Sequence, residues 1–383
     1  MGTHPACRWT RITAALCATL LAVSTAGCTG DPPPPPDQDK PAAFTHLEAF
    51  SARMIEEGAP AVLIAVRNGD SAWTHAAGVR NLETRERATV SDPVHVGGIT
   101  ESMVAVSVVK LAEEGRLDLD AQVSAYLPEF RTVLRPPGPV TVRQLLTHES
   151  GIPDFSIPLL ASGRWEETMH RPLTLEQQLA LAATVPWQGR LANVFDYSRS
   201  NYAALALIVQ RLRGQTIGRV LAADVAGPLG LETTRLGNGH PPPAMIHGYI
   251  TVEGKRVDMA RPEWLGELPS AGAVSTVEEV NGFYGALLEG RLLAPESVEA
   301  MKGSYTQYYG FALRRWNDTC NNRFYYGLPG DVDGYGTISM TSEDGRKQLT
   351  VSVAYPPAPP TLDLNPLILE LQDVAQTALN SLC

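Results

Sequence analysis

The order of strand and helix signals predicts an α/β protein with one antiparallel sheet, built from both ends of the chain around an inserted helical region. Three observations carry this. An apolar run, Ala61 to Val66, is followed by Asn68-Gly69-Asp70, a strong hairpin turn, and then by a second strand around Ala72 to Gly78. Strand signals return only near the C-terminus, at Tyr308 to Trp316, Gly334 to Thr341 and Leu349 to Tyr355, with Glu343-Asp344-Gly345 turning between the last two. The intervening chain reads as helices at Thr100 to Glu114, Val142 to His148, Leu175 to Ala183 and Tyr202 to Leu212, joined by loops rich in Pro and Gly. Helices at Phe44 to Gly58 and Leu367 to Leu379 close the two ends, the first with Phe44, Leu47, Phe50 and Met54 at helical spacing. Strands from both termini with helices between them fit a single sheet covered by helices, with the helical insertion as a second lobe.

The 383 residues, 44% of them hydrophobic, suffice for a large buried core. Lys+Arg number 31 against 41 Asp+Glu, a formal charge of 31 − 41 = −10. Neutralising phosphates needs basic surface, and no run of Lys and Arg supplies it, so nucleic-acid binding is not expected. Neither a Cys-x-x-Cys pair nor a His-rich cluster points to a metal, and no motif calls for a cofactor.

Residues 1–27 read as a secretory signal. Arg8 and Arg11 precede the apolar run Ile12 to Val23, and small residues follow in Ser24-Thr25-Ala26-Gly27-Cys28. Ala26-Gly27-Cys28 also resembles a bacterial lipobox, in which Cys28 is lipidated, although Thr25 stands where Leu is usual; cleavage after Ala26 is the competing outcome, and an uncleaved anchor the third. The proline run in residues 28–43, Pro32 to Pro36, is an extended spacer that would hold a domain spanning 44–383 away from a membrane face. Of five cysteines, Cys7 and Cys17 belong to the signal, leaving Cys320 and Cys383 as an even pair in an oxidising compartment, where a disulfide is the expectation.

Several segments together resemble one family. Val96-Gly97-Gly98-Ile99-Thr100-Glu101-Ser102-Met103, running on to Gly115-Arg116-Leu117-Asp118, is similar to the nucleophile helix of serine beta-lactamases and penicillin-binding DD-peptidases. So are Thr141 to Gly151, Tyr197-Ser198-Arg199-Ser200-Asn201-Tyr202 and Ser270 to Thr276. Tyr308 to Arg315, with Cys320 close behind, most resembles the secreted actinobacterial D-alanyl-D-alanine carboxypeptidases, which adds to the case for the Cys320–Cys383 bond. The resemblance runs from about residue 44 to the C-terminus. It implies a beta-lactamase/transpeptidase-like fold, an antiparallel sheet flanked by helices plus an all-helical lobe, with the active site between them.

By that resemblance the chemistry needs a Ser activated by a Lys three residues later, a Tyr with an Asn two residues on, and a His- or Lys-x-Gly wall strand. This chain has Gly98 at the Ser position and Glu101 at the Lys position. Tyr197 is kept, but Arg199 replaces its Asn, and the wall reads Leu328-Pro329-Gly330-Asp331. Gly98 cannot form an acyl-enzyme, Glu101 reverses a charge, Pro329 lacks an N–H, and Asp331 would repel a substrate carboxylate. No catalytic set is intact.

Substitutes are few. Ser107-Val108-Val109-Lys110 matches Ser-x-x-Lys by spacing alone, in a packing register of the helix. Ser102, one turn beyond Gly98, is placed to reach the cleft but has Ala105 three residues on. Glu101 reads as a solvated or Arg-paired acid, with Arg199 the candidate partner, or as a general base that works with Tyr197 on water. Arg314 falls where the carboxypeptidases place an Arg against the substrate carboxylate; it reads either as an anion-binding group or as the partner of Asp331 or Asp333. The expectation is an exported, membrane-tethered family member that binds a cell-wall peptide or an envelope protein, the alternative being a serine-independent hydrolase of an amide, ester or lactam.

Overall fold

A computed structural model describes residues 42–162, 172–187, 194–237, 242–260, 268–303, 308–361 and 364–383. The signal segment, the proline spacer and Cys28 lie outside these residues.

Helix α1 (Ala42–Glu56) leads into the hairpin β1 (Ala61–Asn68) and β2 (Ser71–Gly78). The turn is where it was expected, with Gly69 at φ +62, a conformation that favours glycine. A short strand β3 (Val94–His95) precedes α2 (Ile99–Glu113). The helical region follows: α3 (Val142–Leu146), α4 (Ser156–Ala161), α5 (Leu175–Ala182), α6 (Arg199–Arg213) and α7 (Ile217–Leu221). Thr141 with Gln144, and Thr174 with Gln177, form reciprocal capping boxes that start α3 and α5. β4 (Arg235–Leu236), the hairpin β5 (Tyr249–Val252) and β6 (Lys255–Asp258), and β7 (Ala273–Ser275) lead to α8 (Val277–Leu288) and α9 (Pro295–Lys302). The chain ends with β8 (Arg314–Asp318), β9 (Arg323–Gly327), β10 (Pro329–Val332), β11 (Tyr335–Ser342), β12 (Lys347–Ala354) and α10 (Pro366–Asn380).

The main sheet runs β2-β1-β12-β11-β9-β8, with β10 also paired to β11, all antiparallel. β1 pairs with β12, so the two chain ends meet at the sheet centre, as the strand distribution predicted. β11 is buried along its whole length because helices cover both faces. Leu47, Phe50 and Met54 of α1 and Ile368, Leu371 and Leu379 of α10 fill one core beneath Ile64, Met340 and Val351. Phe44 is less buried than its spacing suggested, and stacks on Trp73 with ring centroids 4.6 Å apart. The other face packs on α8, α2 and the helical lobe.

Sequence reasoning erred chiefly at Tyr308 to Trp316. The strand begins only at Arg314, because a tight turn precedes it: Gly310 N–H donates to the Leu313 carbonyl at 2.7 Å and Ala312 sits at φ +48. β9, the β5–β6 hairpin, α8 and α9 were not foreseen, and β10 (Pro329–Val332) was expected only through the wall strand that the resemblance supplied.

Cys320 and Cys383 are bonded, with Cα atoms 5.5 Å apart and a sequence separation of 63. The bond fastens the end of α10 beside the β8–β9 turn. Closing a loop of this size typically contributes about 2–4 kcal/mol. The unreduced protein should therefore show no free thiol from this pair by mass spectrometry, and reduction should lower the urea midpoint; two free thiols would contradict the pairing.

Candidate functional site

The site is built where the start of α2 meets β10. Gly97, at φ +52, turns the chain, and Gly98 caps the helix with helical backbone angles. β10 lies directly on this turn. A Cβ on residue 98 would sit 2.9 Å from the Pro329 carbonyl oxygen. One on residue 97 would sit 2.8 Å from the Gly330 carbonyl carbon, and one on residue 330 would sit 2.0 Å from the Val96 carbonyl oxygen. Three glycines thus allow backbone to pack on backbone. The space a nucleophile's side chain would occupy is filled by the Pro329 carbonyl. Leu328, beside it, is 3% exposed and part of the core.

Glu101 lies in the first turn of α2, where the helix dipole favours an anion. It is 2% exposed. Its Oε1 accepts from the Tyr197 hydroxyl at 3.0 Å, and its Oε2 from His148 Nε2 at 3.2 Å and the Tyr309 hydroxyl at 3.4 Å. The histidine tautomer follows from its other nitrogen. His148 Nδ1 faces two donors, the Ser198 N–H at 3.3 Å and the Asn201 amide at 3.0 Å, so it accepts and the proton sits on Nε2. Tyr197 is 41% exposed over its whole surface, but its hydroxyl end is tucked against the carboxylate; this withdrawal from water and the Glu101 charge hold it well above the usual phenol range. Burial does the same for Tyr309 and Tyr202. The phenols therefore stay protonated and act as donors. Glu101 is neither solvated nor paired to Arg199, as its position alone suggested. It is an acceptor shared by three side chains.

Arg199 turns instead to Asp154, with Nη1 3.3 Å from Oδ2 and a second contact of 3.3 Å to Ser156 Oγ, and its guanidinium lies 5.6 Å from the centre of the Tyr197 ring. Burial would lower its pKa, but the acidic neighbours Asp154, Asp333 and Glu101 outweigh it and hold the group charged. Asp331 accepts from the Tyr355 hydroxyl at 3.1 Å and the Asn365 N–H at 2.8 Å, and burial pushes its pKa up. Asp333 is pushed up to about 6 by burial, which the Arg199 charge opposes.

Other expected residues are not brought here. Arg314 lies on the Trp316 face of β8, 5.4 Å from the centre of that ring, and Trp316 belongs to the core under α10. It pairs with neither Asp331 nor Asp333, because β-strand alternation points it away from Tyr326 and Leu328. Ser102 does not reach the cleft: it donates to the Ala312 carbonyl at 2.6 Å and contacts the Tyr284 hydroxyl at 2.8 Å, joining α2 to α8 and the turn before β8. Ser107 is buried without a hydrogen-bond partner among the described residues, and Lys110 donates to the Asp224 carbonyl, so this Ser-x-x-Lys match is packing. Sequence reasoning missed His148, Tyr309 and Asp154. Only the Thr141 to Gly151 resemblance pointed near the first, and nothing in it assigned the histidine a role.

Installing the family's lysine should damage the fold. Glu101→Lys places a buried cation among three donors, at a cost of about 3–5 kcal/mol, whereas Glu101→Gln, which keeps one acceptor oxygen, should cost about 1–3 kcal/mol. Urea unfolding followed by tryptophan fluorescence checks this; a Glu101→Lys protein as stable as the parent would contradict the arrangement.

Comparison with known proteins identifies the family and the fold. The family described as Beta-lactamase matches residues 47–372. Esterase EstB of Burkholderia gladioli is 28% identical over 281 residues, 67% of this chain and 69% of its own. The putative penicillin-binding protein PbpX of Bacillus subtilis is 28% identical over 309 residues, 78% of this chain and 71% of its own. Among solved structures, a D-stereospecific amidohydrolase from Streptomyces superposes with a TM-score of 0.72 at 25% identity, covering 83% of this chain and 95% of the other. The D-amino acid amidase of Ochrobactrum anthropi reaches 0.74 at 20% identity, covering 89% and 99%, which speaks to the fold. From the sheet built of both chain ends, the helical lobe and the matched span, the chain belongs to the beta-lactamase family.

Proposed function

We propose that this chain is an exported member of the beta-lactamase family that binds a ligand at the cell envelope and has given up serine acyl transfer. The observation that carries the reading is the contact at residue 98: the position that should hold the nucleophile is glycine, and the Pro329 carbonyl lies 2.9 Å from where its Cβ would be. Serine catalysis needs a hydroxyl beside a base, with room for an acyl carbon and an oxyanion. Here no hydroxyl stands at that position, and an acid occupies the base position.

The alternative, general-base hydrolysis by Glu101 and Tyr197, is not favoured. A base must reach a water, and both Glu101 oxygens already face donors in a setting that is 2% exposed. The curated relatives include an esterase and a putative penicillin-binding protein, and the solved ones include amidases. Their range suggests a cleft that has served ligands of several kinds, and the proposed protein keeps recognition without turnover. The lipobox-like Ala26-Gly27-Cys28 and the proline spacer support a membrane-tethered location, with a cell-wall peptide or an envelope protein as the class of partner.

Incubation with a fluorescent penicillin and a chromogenic ester should give neither covalent label nor turnover. Gly98→Ser alone should stay silent as well, since the new side chain meets backbone on one side and Glu101, not a cation, on the other. Stoichiometric acylation of that single variant would contradict the reading, as would burst turnover by the parent.

A further inference from the structure

A pocket of about 100 Å³ opens beyond the closed site. Its walls come from α4, β5, the segment after β12 and the end of β10, and they include Leu159, Tyr249, Tyr355 and a run of prolines after β12. A water-sized atom needs about 10–15 Å³, so the space suits one end of a small organic molecule. Arg199, Asp331 and Asp333 also line it.

The polar groups differ in what they still lack. Asp331 is satisfied by Tyr355 and the Asn365 N–H. Arg199 is neutralised by Asp154. Asp333 accepts no hydrogen bond among the described residues, although it is part-buried and feels both the Arg199 charge, which favours its ionised form, and the Asp331 charge, which opposes it. A part-buried carboxylate that lines a pocket and has no protein donor leaves its acceptor sites to whatever occupies that pocket. The charge census decides which ligand. Among the described residues, Asp154, Asp331 and Asp333 stand around a single cation, Arg199, so an arriving anion meets net repulsion there and an arriving cation net attraction.

We propose that this pocket takes the protonated primary amine of a small organic ligand, with Asp333 accepting from the ammonium and the apolar walls covering the adjoining carbons. The assignment rests on the binding role proposed above and gives that role a ligand class. The amine end of an amino-acid derivative or of a diamine has this chemistry, whereas a terminal carboxylate does not. Among the described residues, the titratable groups around Asp333 are Arg199 on α6, Asp331 on β10, Asp154 before α4, Tyr249 on β5 and Tyr355 after β12. The arginine and the tyrosines hold their charge state between pH 5 and 8, and burial moves Asp331 in the same direction as Asp333. Protonating Asp333, pushed up to about 6, removes the acceptor for the ammonium, so amine binding must weaken as the pH falls through that value.

The test is ligand-observed NMR titration of the full chain with benzylamine, benzyl alcohol and phenylacetate as cationic, neutral and anionic probes of one shape. At pH 7.5 benzylamine should bind about tenfold or more tighter than either of the others, the scale of one charge-assisted hydrogen bond. Its affinity should fall about tenfold by pH 5. Asp333→Asn, which replaces a part-buried charge by a neutral isostere and so does not threaten the fold, should erase the preference for amine over alcohol and flatten the pH profile. Phenylacetate or benzyl alcohol binding as well as benzylamine would overturn the inference, as would no binding of any probe, or an amine preference unchanged in Asp333→Asn. These outcomes leave the covalent-labelling result untouched, so the ligand class and the loss of acyl transfer stand or fall separately.

Discussion

The contact between β10 and the Gly97-Gly98 turn governs the rest of the site. Backbone meets backbone there at distances that only glycine permits at residues 97, 98 and 330. With β10 held this close, the Pro329 carbonyl takes the place of a nucleophile's side chain, and Leu328 joins the core instead of facing a cleft. The same strand carries Asp331, whose carboxylate anchors the Asn365 N–H at the start of α10 and the Tyr355 hydroxyl after β12. The closed wall and the open pocket are thus consequences of one strand position.

Once that wall is closed, a cation at residue 101 has no purpose and an anion becomes the better occupant. Glu101 sits at a helix N-terminus and gathers Tyr197, Tyr309 and His148, which come from three separate segments. His148 is in turn held by Ser198 and Asn201 at the start of α6. A charge that would have been catalytic in reversed sign here ties α2, the loop after α3, the start of α6 and the segment before β8 together. Buried charges are retained where they are hydrogen-bonded, and both oxygens of this carboxylate accept from donors.

Much of the fold was legible because hydrophobic periodicity and turn chemistry are local. The Asn68-Gly69-Asp70 hairpin, α2 and α6 came from such signals, and the pairing of β1 with β12 followed from where the strands fall in the chain. β9 was not legible, and β10 only by resemblance to the family's wall strand, because Arg323 to Val332 mixes Pro, Gly and charged residues and takes its strand form from pairing with β11. At the site, the identities of Gly98, Glu101, Arg199 and Asp331 were plain, and with them the conflict with serine chemistry. Their partners were not. Whether an acid is solvated, paired to Arg199 or ringed by Tyr197, Tyr309 and His148 depends on residues up to 208 positions apart. Arg314 was misplaced for a related reason: a one-residue choice of face on a strand separates a cleft from a core.

The central claim, that β10 closes the nucleophile position by direct backbone contact, is tested most directly by the stability of Gly98→Ala. Gly98 has ordinary helical angles, φ −55 and ψ −14, so at an unobstructed site the added methyl would stabilise the protein by about 0.4–1 kcal/mol through the unfolded chain. Here that methyl meets the Pro329 carbonyl at 2.9 Å, and the account predicts a loss of about 1–3 kcal/mol in urea unfolding. A Gly98→Ala protein as stable as the parent, or more so, would mean that the site is open and would contradict it.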